Sequence, residues 1–392
     1  MGKVPGKPVR MGGYTAFVPA TLPPKIAWTA RLVRLLSDAD SLLGRLAGEG
    51  RRLPNPHILM RPFVRQEAVL SSRIEGTQAT LGELLAAEAG AVVEQAPDDL
   101  REVANYVTAL ERGMTMLHEL PLSVRVIKEL HNTLMTGVRG NTAAPGEFRT
   151  IQNWIGRPGS TLASATYVPP PPGEIGPCLA AWERFLHESE LPPLVTIALA
   201  HYQFEAIHPF LDGNGRVGRL LITLFLIEKA ILPTPLLYLS AFFEASRTEY
   251  YAGLRAVSER GDWEGWIEYF LLGVARMSED ALRRVTRIND LLMKWRGEMA
   301  GASTKVPLRV VEMLAANPFL TTNGVAAELK IAFTTAQRAI ERLEKSGIVR
   351  QVGDAKRGRV YCARELMGIL EEPARLTPTP IAIGRMDSDG FR

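Results

Sequence analysis

The sequence predicts a mainly α-helical protein that carries one small β-hairpin and ends in a winged helix-turn-helix module. Apolar residues recur at helical spacing over most of the 392 residues. One stretch, residues 137–177, breaks this pattern with glycines, prolines and short β-prone pieces at 148–154 and 161–168. After a second break at 297–307, three short helical patterns precede two alternating segments, which is the order of a winged helix.

These patterns divide the chain into four units. Residues 1–110 form an N-terminal helical region, and residues 111–299 form a central helical core. Residues 305–372 form the winged helix, and the polar, proline-bearing residues 373–392 form a mobile tail. Glycines and prolines in residues 1–25 predict an extended arm ahead of the first helix.

The helices are expected where apolar spacing is helical and end where glycine or proline interrupts it. The first covers residues 26–46, and the turn Pro54-Asn55-Pro56 follows it. The second starts at Pro62, because proline is favoured in the first turn, and ends at about Gly76. Further helices are expected at 80–95, 98–118, 122–136, 177–188, 194–207, 216–230, 246–259, 262–299, 308–315, 321–329 and 333–346.

Composition excludes several classes of protein. Hydrophobic residues make up 46% and charged residues 22%, which are values of globular proteins rather than of disordered chains. The longest apolar stretch is far shorter than the ~20 residues of a membrane-spanning helix. The first residues lack the apolar run of a secretory signal. Two cysteines, Cys178 and Cys362, fit a reducing compartment, so we expect a cytoplasmic protein without membrane contact.

The most informative stretch is residues 208–219, His-Pro-Phe-Leu-Asp-Gly-Asn-Gly-Arg-Val-Gly-Arg. A Gly-Asn-Gly turn ahead of a helix presents unpaired backbone N–H groups, and the helix dipole adds to their attraction for an anion. Arg216 and Arg219 add guanidinium groups suited to phosphate oxygens. Asp212 is an oxygen ligand of the kind that Mg²⁺ takes beside nucleotide phosphates, and His208 can accept a proton near neutral pH. Together these parts indicate phosphoryl or nucleotidyl transfer.

This stretch resembles the signature of the Fic (filamentation induced by cAMP) family, His-x-Phe-x-(Asp/Glu)-Gly-Asn-Gly-Arg-x-x-Arg, at every fixed position. The resemblance implies a helical Fic fold. It also implies transfer of AMP from ATP to a hydroxyl side chain of a target protein, with release of pyrophosphate. By this resemblance, His208 would accept the proton of the hydroxyl and Asp212 would bind Mg²⁺. Gly213, Asn214 and Gly215 would bind the α- and β-phosphates. Arg216 would contact the phosphates, and Arg219 would contact the γ-phosphate.

Two segments outside the signature also resemble Fic proteins. Residues 145–149 and 154–156 resemble the segment that leads into the target-docking flap of the family, in a hairpin that binds an extended target segment by strand addition. A plain surface hairpin is the alternative. The flap residues implied are Ser160, Thr161, Leu162, Ala163 and Tyr167. Tyr250 and Tyr251 resemble the closing helical segment of the family, and either line the nucleotide pocket or pack in the core.

Residues 71–76, Ser-Ser-Arg-Ile-Glu-Gly, match the inhibitory motif of the family, (Ser/Thr)-x-x-x-Glu-(Gly/Asn). Ser71 and Glu75 are four residues apart and share one helical face, and Gly76 follows them. The resemblance implies that Glu75 pairs with Arg219 and occupies the guanidinium that the γ-phosphate of ATP needs. ATP would then bind with its α-phosphate misaligned for attack, so AMP transfer would be autoinhibited. Glu75 could instead orient water for removal of AMP.

The winged helix predicts a recognition helix at residues 334–344 and a wing at residues 353–359. Its exposed basic and polar residues would be Thr335, Arg338, Arg342 and Lys345 on the helix, and Lys356, Arg357 and Arg359 on the wing. Such a surface fits the major groove and the phosphates of duplex DNA. A formal net charge of +4 for the whole chain is weak support for DNA binding. Contact with another protein, with the core or with a second protomer is the alternative.

Two competing functions stay open from the sequence. A Fic enzyme with another donor, one that transfers UMP, phosphocholine or phosphate, would use the same scaffold, although the complete Gly-Asn-Gly-Arg-x-x-Arg pattern favours ATP. A DNA-binding regulator would contact DNA through residues 305–365 and use the Fic core as a nucleotide sensor. The target protein and its modified Ser, Thr or Tyr, self-modification, homodimerisation and the trigger that relieves inhibition stay open as well.

Overall fold

Helices dominate the computed structural model of the protein, which describes residues 5–52, 56–91, 93, 97–138, 144–157, 159–302, 304–355 and 357–374. The helices are α1 Ala30–Arg52, α2 Pro56–Ile74, α3 Leu81–Glu88, α4 Pro97–Met116, α5 Val124–Met135, α6 Pro172–Glu188, α7 Pro193–Ile207, α8 Asn214–Glu228, α9 Ser240–Ala245, α10 Arg247–Arg260, α11 Trp263–Met299, α12 Val306–Ala316, α13 Thr322–Leu329, α14 Phe333–Lys345 and α15 Arg364–Glu371. The strands are β1 Gly6–Met11, β2 Tyr14–Pro19, β3 Phe319–Thr321, β4 Arg350–Val352 and β5 Val360–Cys362. The mainly α fold class is therefore confirmed. Lys356 of the expected wing, and the expected tail from residue 375 onward, lie outside the described residues.

The expected extended arm at residues 1–25 forms a β-hairpin over its described part. Strands β1 and β2 pair antiparallel across the turn Gly12-Gly13, where Gly13 takes a φ of +102°. Glycine reaches this left-handed region without strain, which is why a Gly-Gly pair suits a two-residue hairpin turn. The backbone N–H of Phe17 donates to the carbonyl of Val168 at 2.8 Å. The hairpin therefore lies beside the segment expected to form the flap.

Helix α2 begins at Pro56, about 1.7 turns before the expected start at Pro62. A proline inside a helix removes one hydrogen bond and costs roughly 3 kcal/mol. Leu59 and Phe63 flank Pro62 and are both buried. Their burial, worth about 2 kcal/mol each, offsets the lost bond and explains why the helix extends through the proline. The helix ends at Ile74, close to the expected end.

The flap is less regular than the hairpin expected for it. A single antiparallel bridge joins Ile155 to Tyr167, with the Ile155 N–H donating to the Tyr167 carbonyl at 2.8 Å. Residues Leu162–Ser164 form a 3₁₀ turn between them. The Ser164 hydroxyl accepts from the Thr161 N–H at 3.0 Å. Local side-chain bonds of this kind compete with a strand ladder, so the expected extended edge is replaced by a turn.

The centre of the fold is formed by α7 and α8. Residues 194–204 of α7 and 216–226 of α8 are buried without interruption. A helix that is apolar on all sides needs neighbours on all sides, and α4, α6 and α11 supply them. Arg216 and Arg219 belong to this buried part of α8. Their charges must therefore be compensated inside the protein.

The C-terminal module has the order predicted for a winged helix. Helices α12, α13 and α14 precede the strands β4 and β5, and β5 lies between β3 and β4 in an antiparallel sheet. Strand β3 and the last helix, α15, are not predicted from the sequence. A three-residue strand is too short to show a periodic pattern, and the pattern of α15 merges with that of β5.

The winged helix packs on the core, which was one of the alternatives for this module. Arg284 of α11 is fully buried, and its guanidinium donates to the carbonyl of Leu370 at 2.9 Å and to neighbouring carbonyls at the end of α15. The side-chain amide of Asn317 donates to the carbonyl of Leu85 in α3 at 2.8 Å. Arg338 and Arg342 of α14 remain exposed. The module is therefore fixed through α15 and β3, while its recognition helix faces solvent.

Two expectations from composition concern the cysteines and the membrane. Cys178 and Cys362 are buried and do not form a disulfide. Burial raises the pKa of each thiol to about 11, so both stay protonated and unreactive. None of the described helices has the length and apolar character needed to cross a bilayer.

Candidate active site

The loop at residues 208–213, between α7 and α8, begins with a strained histidine. His208 ends α7, where its N–H donates to the Phe204 carbonyl at 3.0 Å and its φ is +48°. A non-glycine residue in this left-handed region costs roughly 1–2 kcal/mol. Arg149 offsets the cost, because its Nε donates to the His208 carbonyl at 2.9 Å. Strain that a buried neighbour maintains is typical of functional positions.

The ring of His208 has the tautomer of a proton acceptor. Its Nδ1 lies 3.3 Å from the carbonyl oxygen of Glu205, which can only accept a hydrogen bond. Nδ1 therefore carries the hydrogen, and Nε2 keeps its lone pair. Burial lowers the pKa of His208 to about 4, so the ring is neutral at physiological pH. His208 can thus take a proton from a group placed next to Nε2.

Two side chains from the segment before the flap hold the backbone of the loop. Arg149, 3% exposed, donates from NH2 to the carbonyl of Pro170 at 2.6 Å, and its own N–H donates to the Pro209 carbonyl at 3.0 Å. The side-chain amide of Asn153 donates to the Phe210 carbonyl at 2.9 Å. The loop and the flap segment are thereby joined through buried hydrogen bonds. The sequence analysis assigned a role to neither residue, although Arg149 lies in one of the segments that resemble Fic proteins.

Asn214 and His131 fix the turn inside the loop. Asn214 closes it, since its Oδ1 accepts from the Phe210 N–H at 2.8 Å and its Nδ2 donates to the Phe210 carbonyl at 2.9 Å. His131 stacks on Phe210 at 3.7 Å, accepts the Gly146 N–H at Nδ1 and donates from Nε2 to the Asp212 carbonyl at 3.0 Å. The expected phosphate ligand Asn214 therefore supports the loop in this structure. His131, which had no role in the sequence analysis, does the same.

Asp212 lies exposed at the mouth of the loop. Its Oδ1 accepts the N–H of Gly213 at 2.6 Å. Gly213 has a φ of +76°, and a Cβ there would come within 2.8 Å of the Met135 sulfur, so a side chain does not fit. An exposed carboxylate beside an anion site suits Mg²⁺, which keeps several waters and shares substrate phosphates. The described residues contain no group of three His, Cys, Asp or Glu that could hold a metal by themselves.

The carboxylate of Glu75 lies beside the first turn of α8. The first N–H groups of a helix have no partner within it and attract anions. A Cβ placed on Gly215 would lie 2.3 Å from Glu75 Oε1 and 3.0 Å from Arg219 NH1. The carboxylate therefore takes up space next to the turn to which the sequence analysis assigned phosphate.

The expected pairing of Glu75 with Arg219 is present. Arg219 NH2 lies 2.6 Å from Glu75 Oε1, and the Arg219 side chain is 1% exposed against 35% for Glu75. Arg219 also donates to the Ser71 hydroxyl and to the Ser71 carbonyl, both at 2.9 Å. Burial alone would raise the pKa of Glu75, but Arg219 and Arg216 lower it below its ordinary value. At neutral pH the pair is therefore a carboxylate and a guanidinium.

Arg216 points away from this pair. Its NH1 lies 3.1 Å from Glu102 Oε2 of α4, and its NH2 donates to the Met135 sulfur at 3.5 Å. Arg216 is 4% exposed, so Glu102 compensates its charge inside the core. Its expected contact with phosphate stays a prediction. Glu102 was missed in the sequence, because no local pattern links α4 to α8 across more than 100 residues.

The two tyrosines of α10 divide between the two alternatives given for them. Tyr250 is 1% exposed, and its hydroxyl bonds to Nε2 of His201 at 2.9 Å within a cluster of aromatic rings. Tyr251 is 38% exposed, lies next to the charges of Glu75 and Arg219, and has Arg247 over its ring at 5.9 Å. Tyr250 therefore packs in the core. Tyr251 is partly exposed beside the candidate site, and its contact with a nucleotide stays a prediction.

Glu205 is a further carboxyl near the site that the sequence analysis did not select. Its Oε1 atom is buried without a hydrogen-bond partner among the described residues. A Cβ on Gly218 would lie 2.6 Å from that oxygen. Burial raises the pKa of Glu205 to about 7, although the charge of Arg219 lowers it. The only feature of the sequence that could have pointed to Glu205 as a site residue is its position three residues before His208.

Profiles of known families match three parts of the chain. The Fic/DOC family N-terminal profile matches residues 33–115, and the Fic/DOC family profile matches residues 121–226. The profile of winged helix-turn-helix DNA-binding domains matches residues 304–350. Both Fic/DOC regions and the winged helix are thus present. The Fic/DOC match contains the complete loop from His208 to Arg219.

Curated relatives match less than half of the chain. The chain is 30% identical over 176 residues to the protein adenylyltransferase Fic of Drosophila erecta and to that of Drosophila yakuba. The match covers 44% of this chain and 32% of each relative, so the chain spans about a third of their length. The Drosophila melanogaster protein of the same name is 29% identical over 176 residues.

Solved structures of Fic proteins have the same fold. A Fic family protein from Desulfovibrio desulfuricans G20 superposes with a TM-score of 0.59 at 20% identity, over 87% of this chain and 98% of that protein. A Fic domain-containing signalling protein from Bacteroides thetaiotaomicron VPI-5482 gives a TM-score of 0.50 at 20% identity, over 66% of this chain and 97% of that protein. These similarities confirm the fold expected from residues 208–219.

Proposed function

We propose that this chain, which carries the Fic/DOC family domain and the N-terminal region that accompanies it, transfers AMP from ATP to a hydroxyl side chain of a protein. We also propose that Glu75 restrains this transfer. The units that carry it would be those expected from the sequence, with the restraining helix in residues 1–110 and the catalytic core in residues 111–299. The relatives named protein adenylyltransferase Fic support the reaction.

The observation that carries the proposal is the ionised carboxylate of Glu75 at the start of α8. Its Oε1 lies 2.3 Å from the position of a Cβ on Gly215, and it pairs with Arg219 at 2.6 Å. A negative group therefore lies beside the first turn of α8 and a buried guanidinium. A nucleotide phosphate would find the same donors once Glu75 moves away.

The reaction uses the lone pair on Nε2 of His208. A target hydroxyl next to this atom would lose its proton to the ring, while its oxygen forms a bond to the α-phosphorus of ATP. The bond from that phosphorus to the bridging oxygen breaks, and pyrophosphate leaves. The ring is neutral and keeps this lone pair at physiological pH, since burial lowers the pKa of His208 to about 4. Proton acceptors of this kind contribute roughly 10²–10⁴ in rate.

Asp212 would hold Mg²⁺ beside the phosphates. Its side chain is exposed, and the N–H of Gly213 already fixes the direction of one carboxylate oxygen. When bound, Mg²⁺ neutralises charge on the phosphates. Asp212 would supply one oxygen ligand, and water and phosphate oxygens would supply the others.

The proposed restraint acts through alignment. Arg219 can donate to Glu75 or to the γ-phosphate of ATP, but its two bonds to Ser71 leave little freedom to reach both. A nucleotide bound without Arg219 would place its α-phosphorus poorly for attack. Misplacement by about 1 Å can lower a rate about a hundredfold.

The test is covalent labelling of the purified Glu75→Gly protein with ATP labelled at either the α- or the γ-phosphate. We expect label in the protein from the α position alone. Label from the γ position would indicate phosphate transfer, and label from UTP in place of ATP would indicate another donor. Loss of label from labelled Glu75→Gly when unlabelled wild type, in which Glu75 is retained, is added would support removal of AMP.

The exposed recognition helix favours a second function, binding of duplex DNA through the winged helix. Arg338, Arg342 and Lys345 are exposed on α14, and Arg357 and Arg359 are exposed on the wing. Glu344 is exposed on the same helix, so the surface is only moderately basic. The match to winged helix-turn-helix DNA-binding domains supports this function.

DNA binding is tested with the full chain and a fluorescently labelled duplex of ~25 base pairs. The anisotropy of the duplex is measured at several salt concentrations. We expect Arg338→Ala/Arg342→Ala to weaken binding and to reduce the salt slope by about two units if both residues contact phosphate. Arg125→Ala, an exposed arginine of α5, is the control. Equal binding by the two mutant proteins would contradict the function.

A further inference from the structure

Helix α2 presents three acidic or hydroxyl residues at four-residue intervals toward the centre of the protein. Glu67 and Ser71 belong to the helix, and Glu75 follows its last residue. Residues four apart lie on the same side of a helix, and eight residues span about 12 Å along its axis. Glu67 is therefore two turns away from the contact between Glu75 and Arg219, on the same face.

Glu67 is a buried carboxyl whose oxygens are fully used. It is 3% exposed. Its Oε2 accepts the N–H of Ser240 at 3.0 Å, and its Oε1 accepts the Ser240 hydroxyl. The Tyr106 hydroxyl donates to the same Oε1 at 3.3 Å. Three donors from two other elements, α9 and α4, thus converge on one side chain of α2.

These contacts continue to the candidate active site. Tyr106 is fully buried, and the neighbouring Ser71 hydroxyl partly opposes the rise that burial causes in the pKa of Tyr106. The Ser71 hydroxyl accepts from Arg219 Nε at 2.9 Å. A connected set of buried polar groups therefore runs along α2 from Ser240 to Arg219. Such a set has few alternative arrangements, because every member that loses its partner is left unsatisfied in the interior.

We infer that Glu67 is a residue that positions Glu75 for the restraint. Its bonds to Ser240 and Tyr106 fix where α2 lies along its axis and how it is rotated about that axis, so that Glu75 contacts Arg219. This inference rests on the proposed function. A shift of α2 by one residue moves Glu75 by about 1.5 Å along the axis and about 100° around it, which separates it from the guanidinium. Loss of the Glu67 contacts should therefore release the restraint even though Glu75 is intact.

The electrostatics of Glu67 agree with this role. Burial raises the pKa of Glu67, while the bonds from Ser240 and the charge of Arg219 oppose that rise. Whether charged or neutral, the carboxyl stays bonded, because Ser240 supplies donors to both oxygens. Glutamine at this position has one acceptor oxygen instead of two, so Glu67→Gln must give up at least one of the three bonds.

The test compares Glu67→Gln and Ser240→Ala, each in the wild-type and in the Glu75→Gly background, by AMP incorporation into the protein. We expect each change to raise AMP incorporation about tenfold in the wild type. Each change removes a hydrogen bond to Glu67, and the loss of one bond to a charged group shifts the equilibrium between restrained and released α2 by about this factor. We expect no rise in the Glu75→Gly background, where the restraint is already absent. A merely structural role predicts the opposite sign, a loss of activity in both backgrounds.

Hydrogen exchange separates failure of this inference from failure of the proposed function. The N–H groups of Glu75 and Thr77 both donate to the Ser72 carbonyl, so they report whether the end of α2 is formed. If Glu75→Gly incorporates no AMP, faster exchange at residues 75–77 in Glu67→Gln, with α8 unchanged, still supports the inference. Unchanged exchange there, or activity that changes equally in both backgrounds, would overturn it. Ser240→Ala removes only a hydroxyl and serves if Glu67→Gln does not fold.

Discussion

Glu75 and Gly215 share one small space at the start of α8. The distance from Glu75 Oε1 to the position of a Cβ on Gly215 is 2.3 Å, and the same oxygen lies 2.6 Å from Arg219 NH2. The carboxylate therefore lies against both the backbone and the guanidinium of the anion site. A phosphate that used both would have to displace it, which makes the proposed restraint a competition between two anions for one set of donors.

Removing the charge of Glu75 should destabilise the protein. Arg219 is 2% exposed, and a buried cation that loses its carboxylate costs roughly 3 kcal/mol or more. We expect Glu75→Gln to lower the free energy of urea unfolding by about that amount, and ATP with Mg²⁺ to restore part of it. The matched control is Glu129→Gln, because the partner of Glu129, Arg112, is 50% exposed. This substitution should change the free energy of unfolding by less than about 1 kcal/mol. Equal losses in the two variants would contradict the burial argument.

Gly215→Ala should abolish AMP transfer even when Glu75 is absent. In the Glu75→Gly background the new methyl group would still lie 3.0 Å from Arg219 NH1 and would fill the anion site. We expect the AMP incorporation of the double variant to fall at least about tenfold, together with its affinity for ATP measured by calorimetry. Gly173→Ala, where a Cβ meets nothing within 4 Å, is the control and should leave both values unchanged. Normal ATP affinity in Gly215→Ala would show that the phosphates bind elsewhere.

Arg149→Met should reduce the rate of AMP transfer more than the affinity for ATP. The guanidinium holds the His208 carbonyl at 2.9 Å while the histidine is left-handed, and methionine cannot donate there. In the Glu75→Gly background we expect kcat to fall at least about tenfold at an unchanged KM for ATP, because the ring moves and the phosphate site does not. A rise in KM at constant kcat would assign Arg149 to nucleotide binding instead.

The stability of the protein should fall as the pH is lowered from 7 to 5.5. Burial lowers the pKa of His131 to about 4 and that of His201 to about 3, against about 6.5 in the unfolded chain. Below pH 6.5 the unfolded chain binds protons that the folded protein does not, so stability is complete above pH 7 and is lost on acidification. The expected loss is about 1 kcal/mol for each of these two histidines and for His208, whose pKa is also lowered to about 4. Glu205, whose pKa burial raises to about 7, binds a proton in the folded protein over the same range and offsets about one of the three. Urea unfolding at both pH values measures the net loss.

Two matched variants show whether a buried histidine causes this pH dependence of stability. His131→Gln keeps an acceptor for Gly146 and a donor for Asp212 but cannot titrate, so it should remove the share of one histidine. His118→Gln replaces an exposed histidine and should leave the dependence unchanged. The same slope in all three proteins would show that other groups cause it.

The order of elements could be predicted from the sequence because most helices here are long and periodic. Helices α7 and α11, and the three helices of the winged module, lie within a few residues of their expected bounds. Strand β3 and helix α9, with three and six residues, are too short for a period to show. The turn Leu162–Ser164 depends on side-chain bonds of Thr161 and Ser164, which composition does not reveal.

The candidate site was predictable where its residues are adjacent in sequence. His208 and Arg219 could be selected from one motif, and Glu75 from another, and the structure brings the last two into contact. Arg149 and Glu67 could not be selected, since their roles come from partners 59 and 173 positions away. Long-range polar contacts of buried residues leave no periodic or local pattern, so only the folded chain reveals them.

Intact mass shows whether Glu75 restrains AMP transfer at His208. The wild type, Glu75→Gly and Glu75→Gly/His208→Ala are each incubated with ATP and Mg²⁺ and weighed by mass spectrometry. The account predicts a gain of one or more AMP units in Glu75→Gly and no gain in the other two proteins. The same mass in the wild type and in Glu75→Gly would contradict the restraint, and a gain that survives His208→Ala would contradict the role of the histidine.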